Sequence, residues 1–315
     1  MARHCIPEGQ VAVVGSAAEL REALGRARGV RLQPGIYRGT WQVVMHQVVL
    51  VGPQALTPSA EPAILSPIQP GPVLRLSSRG HAFLDGIIVR GGMGPSGHGI
   101  FCETADSRLA LRRSEVSQNE GKGIWARCPA WISQSRIGGW QEAGRNQGGG
   151  VLAEDNLVLT NSFIVHNGTA FSLVGGVALR GSPSGNRLLA HLTFVGNLCQ
   201  TDGIAVHCGD IPVEIWHSLL WNNERMPGRS TIGGRCLLRA AAVDDLDAFH
   251  GAGVLLDQNN PPRFRGLFDF HLLPGSPAQD AIPPGAPGPR MEFDYDGDRR
   301  PQGAGFDFGA DEVTP

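Results

Sequence analysis

Gly99-Ile100-Phe101-Cys102-Glu103 returns in altered form four times. The copies are Gly123-Ile124-Trp125-Ala126-Arg127, Gly150-Val151-Leu152-Ala153-Glu154, Gly176-Val177-Ala178-Leu179-Arg180 and Gly203-Ile204-Ala205-Val206-His207. Their starts are 24, 27, 26 and 27 residues apart. A near-constant period of this size marks a solenoid, whose repeats bury their apolar faces only by stacking on one another. The first and third residues after each glycine are apolar in every copy. They alternate with variable positions, as inward and outward residues of a short strand do.

A weaker echo follows each copy: Ser114-Glu115-Val116, Ser135-Arg136-Ile137, Ser162-Phe163-Ile164 and Ser218-Leu219-Leu220. Asn119, Asn167, Asn197 and Asn222 come next and predict a ladder of turn asparagines, since Asn tolerates left-handed backbone and can bond to a stacked neighbour. Parallel strands at this period, without helices long enough for crossovers, predict an all-β protein. The expected form is a single-stranded right-handed parallel β-helix solenoid with an N-terminal capping helix and a Pro/Gly-rich C-terminal tail. The leucine-rich-repeat signature is missing. Ser16-Ala17-Ala18-Glu19 reads as a capping box, with Leu20, Leu24 and Ala27 on one stripe and Gly29 as the stop. One domain is expected over 1–315: a cap over 1–29, rungs over 30–223 and an irregular closing segment over 224–315 that includes a short helix from Ala240 to Phe249.

Composition narrows the function classes. The 27 basic and 29 acidic residues leave a net charge of −2, so no global field favours nucleic acid or an acidic membrane. No run is long and apolar enough for a membrane span. Lys122 is the only lysine. The six cysteines show no CxxC and no dense spacing, which predicts small buried side chains rather than a disulfide framework or a zinc site. His166, His191, His207 and His217 lack metal-ligand spacing and read as structural. Asp294, Asp296 and Asp298 begin like a calcium loop, but its twelfth position is Gly305, so turn capping or pairing with Arg299 and Arg300 is expected instead.

The chain resembles bacterial parallel β-helix proteins of the pectate-lyase-like group. The resemblance rests on Leu32-Gln33-Pro34-Gly35-Ile36-Tyr37 near the start and on Ile215 to Asn223 as a last regular rung. The segments Phe270 to Asp280, Asp294 to Pro301 and Asp307 to Glu312 are similar to the closing segment of choice-of-anchor Q proteins. The resemblance implies a carbohydrate-active protein. Gly97-His98-Gly99 is similar to a polygalacturonase tripeptide, but the carboxylate and Arg-Ile-Lys motifs of that family are absent, as is the epimerase Asp-Pro-His-Glu. Extracellular location follows from the resemblance. Residues 1–10 carry no apolar leader, which points to the cytoplasm instead.

Aligned on the glycines, one outward column reads Phe101, Trp125, Leu152, Ala178, Ala205. The next reads Glu103, Arg127, Glu154, Arg180, His207. Stacked strands lie ~4.8 Å apart, so these side chains are neighbours. One reading is a register-pinning ladder of ion pairs worth ~0–1 kcal/mol each. The other is a groove in which Phe101 and Trp125 form an apolar platform for sugar rings, with Asp155 and Asp202 beside it. In that groove His98, Lys122, Arg127, Arg180, Glu103, Glu154 and His207 are the catalytic candidates. Elimination on a uronate needs a cation to neutralise the carboxylate and a base to take the adjacent proton, which Lys122, Arg127 and Arg180 could supply. Calcium is a possible cofactor, with oxygen ligands among Glu103, Glu115, Asn119, Glu120, Glu154 and Asp155. Hydrolysis by Glu103 and Glu154, two rungs or ~9.6 Å apart, is a lesser option. The expected function is a lyase acting on an acidic polysaccharide. Its rivals are a non-catalytic glycan-binding or surface module and a small-metabolite isomerase, cyclase or lyase. The expected partner is an acidic glycan or a small molecule, not a nucleic acid. The oligomeric state stays open.

Overall fold

The computed structural model describes residues 11–55, 57, 59–181, 185–223, 229–245 and 253–314. Those residues build a mostly β protein with long parallel sheets. The main helix is short, Ala17–Leu24. Ser16 caps it by accepting the Glu19 N–H at 3.2 Å, while Glu19 accepts the Gly15 N–H at 2.7 Å. Leu20, Ala23 and Leu24 are buried. The helix stops at Gly25 rather than Gly29, because Gly29 already opens the next strand, Gly29–Leu32. That strand pairs in parallel with Val11–Val14, so strand pairing begins ahead of the helix.

Each of the short strands marked by glycine pairs in parallel with its counterpart one repeat later. Ile100–Cys102 faces Ile124–Ala126, which faces Val151–Ala153, then Val177–Leu179. These belong to an eight-stranded sheet that also takes in Trp41–Val44 and Leu74–Ser77. Its inward residues, Ile100, Cys102, Ile124, Ala126, Val151, Ala153, Val177 and Leu179, are buried in one continuous core.

The fifth copy departs from the expected alignment. Val206 pairs with Val177 and His207 with Ala178, so the strand starts two residues later than the glycine suggests. Gly203 takes φ 78° and the chain turns through Ile204 and Ala205 before pairing begins. A two-residue shift keeps the same face inward, so the apolar pattern could not reveal it. The outward column is therefore Phe101, Trp125, Leu152, Ala178, His207.

The serine-marked strands belong to a sixteen-stranded sheet, where later repeats run unbroken as Leu157–Val165, Arg187–Val195 and Val213–Trp221. Each bends at one left-handed residue: Asn161, His191 and His217, with φ 45°, 53° and 53°. The serine that follows a bend ties the turn down. Ser135 Oγ donates to Ser133 O at 2.8 Å and accepts the Ser114 N–H of the previous repeat at 3.2 Å. The asparagine ladder lies at the next corner and comprises Asn119, Asn146, Asn167, Asn197 and Asn223, joined by side-chain bonds of 2.8–3.0 Å. Asn222 is displaced from the expected ladder because it takes the left-handed turn, φ 46°, and leaves the inward place to Asn223.

Parallel pairing runs past residue 223. Cys236–Val243 pairs with Val213–Trp221, so Ala240 begins no helix; it is the left-handed bend residue, φ 51°, inside a strand. The rest of the expected helix, Leu246 to Phe249, lies outside the described residues. The cysteine expectation is also corrected. Cys102 bonds to Cys128 and Cys208 to Cys236, each joining adjacent repeats, while Cys199 is free and buried. Spacings of 26 and 28 residues match one repeat, so parallel stacking brings each pair together at Cα distances of 5.9 and 5.1 Å.

The Pro/Gly-rich tail packs along the corner of the sixteen-stranded sheet. Gln134 Nε2 donates to Asp294 O at 2.8 Å and Asn161 Nδ2 to Phe293 O at 2.7 Å. Thr193 Oγ1 accepts the Ala310 N–H at 2.9 Å. Gly288 takes φ 125°, and a Cβ there would sit 2.6 Å from the Trp216 ring. Asp294 caps its turn by accepting the N–H groups of Gly297 and Asp298 at 2.9 and 2.8 Å. Arg300 and Glu312 form a fully buried ion pair at 2.7 Å.

Candidate functional site

The eight-stranded sheet gathers most of the expected site residues around Trp125. Phe101 and Trp125 are direct partners in the parallel register, with ring centroids 5.0 Å apart and planes tilted by 36°. His98 meets both rings edge-on, at 5.8 and 5.2 Å. Lys122 Nζ lies 5.0 Å and Arg127 Cζ 4.6 Å from the Trp125 centroid, both within cation–π range. Trp125 Nε1 donates to Glu154 at 2.9 Å, and Arg127 pairs with the same carboxylate at 3.3 Å. Leu152 and Ala178, expected to face outward, are buried with Val174 beside Trp125. The platform thus has an apolar floor on one side.

Arg75 belongs to the site and was not anticipated. It pairs with Phe101 in register, stands 5.7 Å from that ring and binds both Glu103 oxygens through Nε and Nη2. The Leu74-Arg75-Leu76 alternation could have shown it, but the glycine that marks the later copies is absent there.

His98 is buried and accepts the Lys122 backbone N–H on Nδ1 at 3.0 Å, which makes the imidazole neutral with its proton on Nε2. A Cβ on Gly121 would come 2.5 Å from that nitrogen, so glycine is needed for the approach. Burial, helped by the Lys122 charge, pushes His98 down to about 4. In the unfolded chain the group titrates near 6.5, so between these values the unfolded state binds more protons. The stability is complete above pH 6.5 and falls by up to about 3 kcal/mol as pH drops toward 4. Urea midpoints measured across that window should show the fall. His98→Asn, which keeps an acceptor for the Lys122 N–H, should flatten it.

Lys122 is itself lowered from its ordinary value, first by burial and then by the Arg180 charge, against a pull upward from Glu154. Among the described residues Arg180 forms no ion pair, and it is exposed. Glu103 is held below the carboxylate range, chiefly by its hydrogen bonds from Arg75. Glu103 and Glu154 are each paired with an arginine, Arg75 and Arg127.

His207 and Asp202 stand apart, and Asp155 directly follows Glu154. His207 is three strands beyond Trp125, about 14 Å by strand spacing, and accepts the Gly209 N–H at 3.1 Å. Asp202 lies 3.7 Å from Arg229. Asp155 accepts the Asn156 N–H at 2.8 Å. The oxygen ligands considered for calcium do not converge. Asn119 is inside the ladder, Glu115 is bound by Arg136 and Ser117, Glu120 accepts the Gly94 N–H, and Glu103 and Glu154 hold arginines. These residues do not fit a calcium ion.

Trp140 and Trp221 pack with the tail. His166, His191 and His217 occupy left-handed bends, and burial lowers the latter two. Among the described residues no helix is long and apolar enough to cross a membrane. No family model, no curated protein and no solved structure matches the chain.

Proposed function

We propose that the chain is a right-handed, pectate-lyase-like β-helix that binds an acidic polysaccharide across the eight-stranded sheet and cleaves it by β-elimination. The observation that carries this reading is the Phe101–Trp125 pair flanked by Arg75, Lys122 and Arg127, with the Arg180 charge acting on Lys122, while the tail bonds to the sixteen-stranded sheet through Asp294 and Phe293. Sugar rings offer apolar faces to such a platform, and uronate carboxylates match its cations. Arg180 neutralises the carboxylate and so acidifies the proton on the adjacent carbon. Lys122, lowered from its ordinary value, takes that proton as base. The C–H electron pair becomes the new carbon–carbon double bond. The neighbouring C–O bond breaks, and the leaving oxygen regains a proton from the Lys122 ammonium. The two disulfides favour an oxidising compartment, in line with a polysaccharide outside the cell.

A binding module is favoured by one observation: Arg75 and Arg127 are already paired with Glu103 and Glu154. The test is ultraviolet absorbance of the conjugated double bond during incubation with a panel of acidic polysaccharides. The expected result is a rise that Lys122→Ala reduces at least a hundredfold, since a positioned base contributes ~10²–10⁴. Bound glycan with no absorbance rise would make the site a binding module. The absence of both binding and turnover would overturn the glycan reading.

A further inference from the structure

The closing segment gathers three ligand-bearing groups that the reaction above does not use. His271 lies in the strand Asp269–Leu272, Asp296 in the Asp-Gly turn and Asp311 near the C-terminus. Their ligand atoms lie within 4.8 Å of one another. His271 is only 7% exposed. Its Nδ1 is hydrogen-bonded to Asp269, which leaves Nε2 on the side of Asp296, with an Asp311 oxygen in the same cluster. That Nε2 is buried, and no atom meets it in hydrogen-bonding geometry. The nearest is Asp296 Oδ2 at 3.3 Å. Asp311 is anchored by the Leu272 N–H at 2.5 Å.

We propose that His271, Asp296 and Asp311 hold a divalent transition-metal ion. With Nδ1 held by Asp269, deprotonated Nε2 beside two carboxylates would be a donor set for a cation. The Asp269–His271 contact is the carboxylate–imidazole arrangement that orients a metal-binding histidine through its other nitrogen. Ligand atoms ~2.0–2.1 Å from a tetrahedral ion are about 3.4 Å apart, close to the Nε2–Oδ2 separation. One nitrogen and two oxygens suit Zn²⁺ or Mn²⁺ better than Ca²⁺, which takes six or more oxygens. Asp296 also lines a cavity of about 280 Å³ with Glu115, Arg136 and Tyr295. The ion would join three separate stretches of the tail, at a point where His271 packs on Trp140, Phe163 and Tyr295.

The competing occupant is a proton. Burial lowers the imidazole, but Asp296 and Asp269 outweigh it and raise His271 to about 9 in the absence of an ion. The full chain, stripped with a chelator and desalted, would be titrated separately with Zn²⁺, Mn²⁺ and Ca²⁺ by calorimetry. Bound metal would be counted by elemental analysis and melting followed with and without each ion. We expect one equivalent of Zn²⁺ or Mn²⁺ and a raised melting temperature. Asp296→Asn, at a half-exposed position that leaves the fold intact, should weaken binding at least tenfold and abolish the melting shift. Asp298→Asn should do neither. Absence of a stoichiometric ion in the wild type, or equal affinity in Asp296→Asn, overturns the proposal and leaves the proton as occupant.

Discussion

Asn167→Ala should destabilise the protein by about 4 kcal/mol, more than a surface or single-contact substitution would. Asn167 is fully buried in the middle of the ladder. Its Oδ1 accepts from Asn146 at 2.9 Å, and its Nδ2 donates to Ile137 O at 2.9 Å and Asn197 Oδ1 at 3.0 Å. Alanine leaves the Asn146 amide and the Ile137 carbonyl short of a partner in a space closed to water, at ~1–3 kcal/mol for each group, and adds a small cavity. The neighbour Asn197 keeps its other bonds, to Ile164 O and Asn223, so the damage should stay within two repeats. Urea unfolding of Asn167→Ala and of an exposed control such as Asn259→Ala would measure the difference. A loss near that of the control would show that the ladder is ornament and that the apolar stack alone sets the register.

The ladder also shows where sequence reading succeeds and where it stops. Asn119, Asn167 and Asn197 were legible because each follows a strand at the repeat spacing. Asn146 was not, since a turn-rich insertion, Gly138 to Arg145, separates it from its strand Arg136–Ile137. Asn222 and Asn223 are adjacent, and only the backbone shows which one turns left-handed. Period-two alternation exposed the inward residues of the eight-stranded sheet but was blind to the two-residue shift at Val206. For the site, the column argument brought Phe101, Trp125, Lys122, Arg127 and Glu154 together. It could not show that Leu152 and Ala178 are covered, because the cover is Val174, from a loop without a repeat pattern. Which tail residues meet was illegible for a similar reason. His271, Asp296 and Asp311 meet through irregular turns, and no periodicity relates positions in such segments.

The cysteines are the sharpest case, and they carry the other large prediction. In a compact fold, lone cysteines about a repeat apart have no special relation. In a parallel stack the same spacing puts them side by side. Removing both bridges, by Cys102→Ala with Cys128→Ala and Cys208→Ala with Cys236→Ala, should cost about 3 kcal/mol for each loop closed by 26 and 28 residues. The two bridges are separated by the intervening repeats, so their losses should nearly add. The functional consequence should differ between them. Cys102 follows Phe101, and Cys128 follows Arg127, so this bridge brackets the ring pair and the cation over it. Cys208 and Cys236 lie beyond His207, well away from Trp125. The first double variant should therefore lose both stability and glycan affinity, whereas the second should lose stability alone. Denaturation midpoints and glycan titration on both variants separate these outcomes. Equal loss of affinity in both would mean that the site depends on the stack as a whole; unchanged midpoints in both would mean that stacking already holds the repeats as tightly as the bridges do.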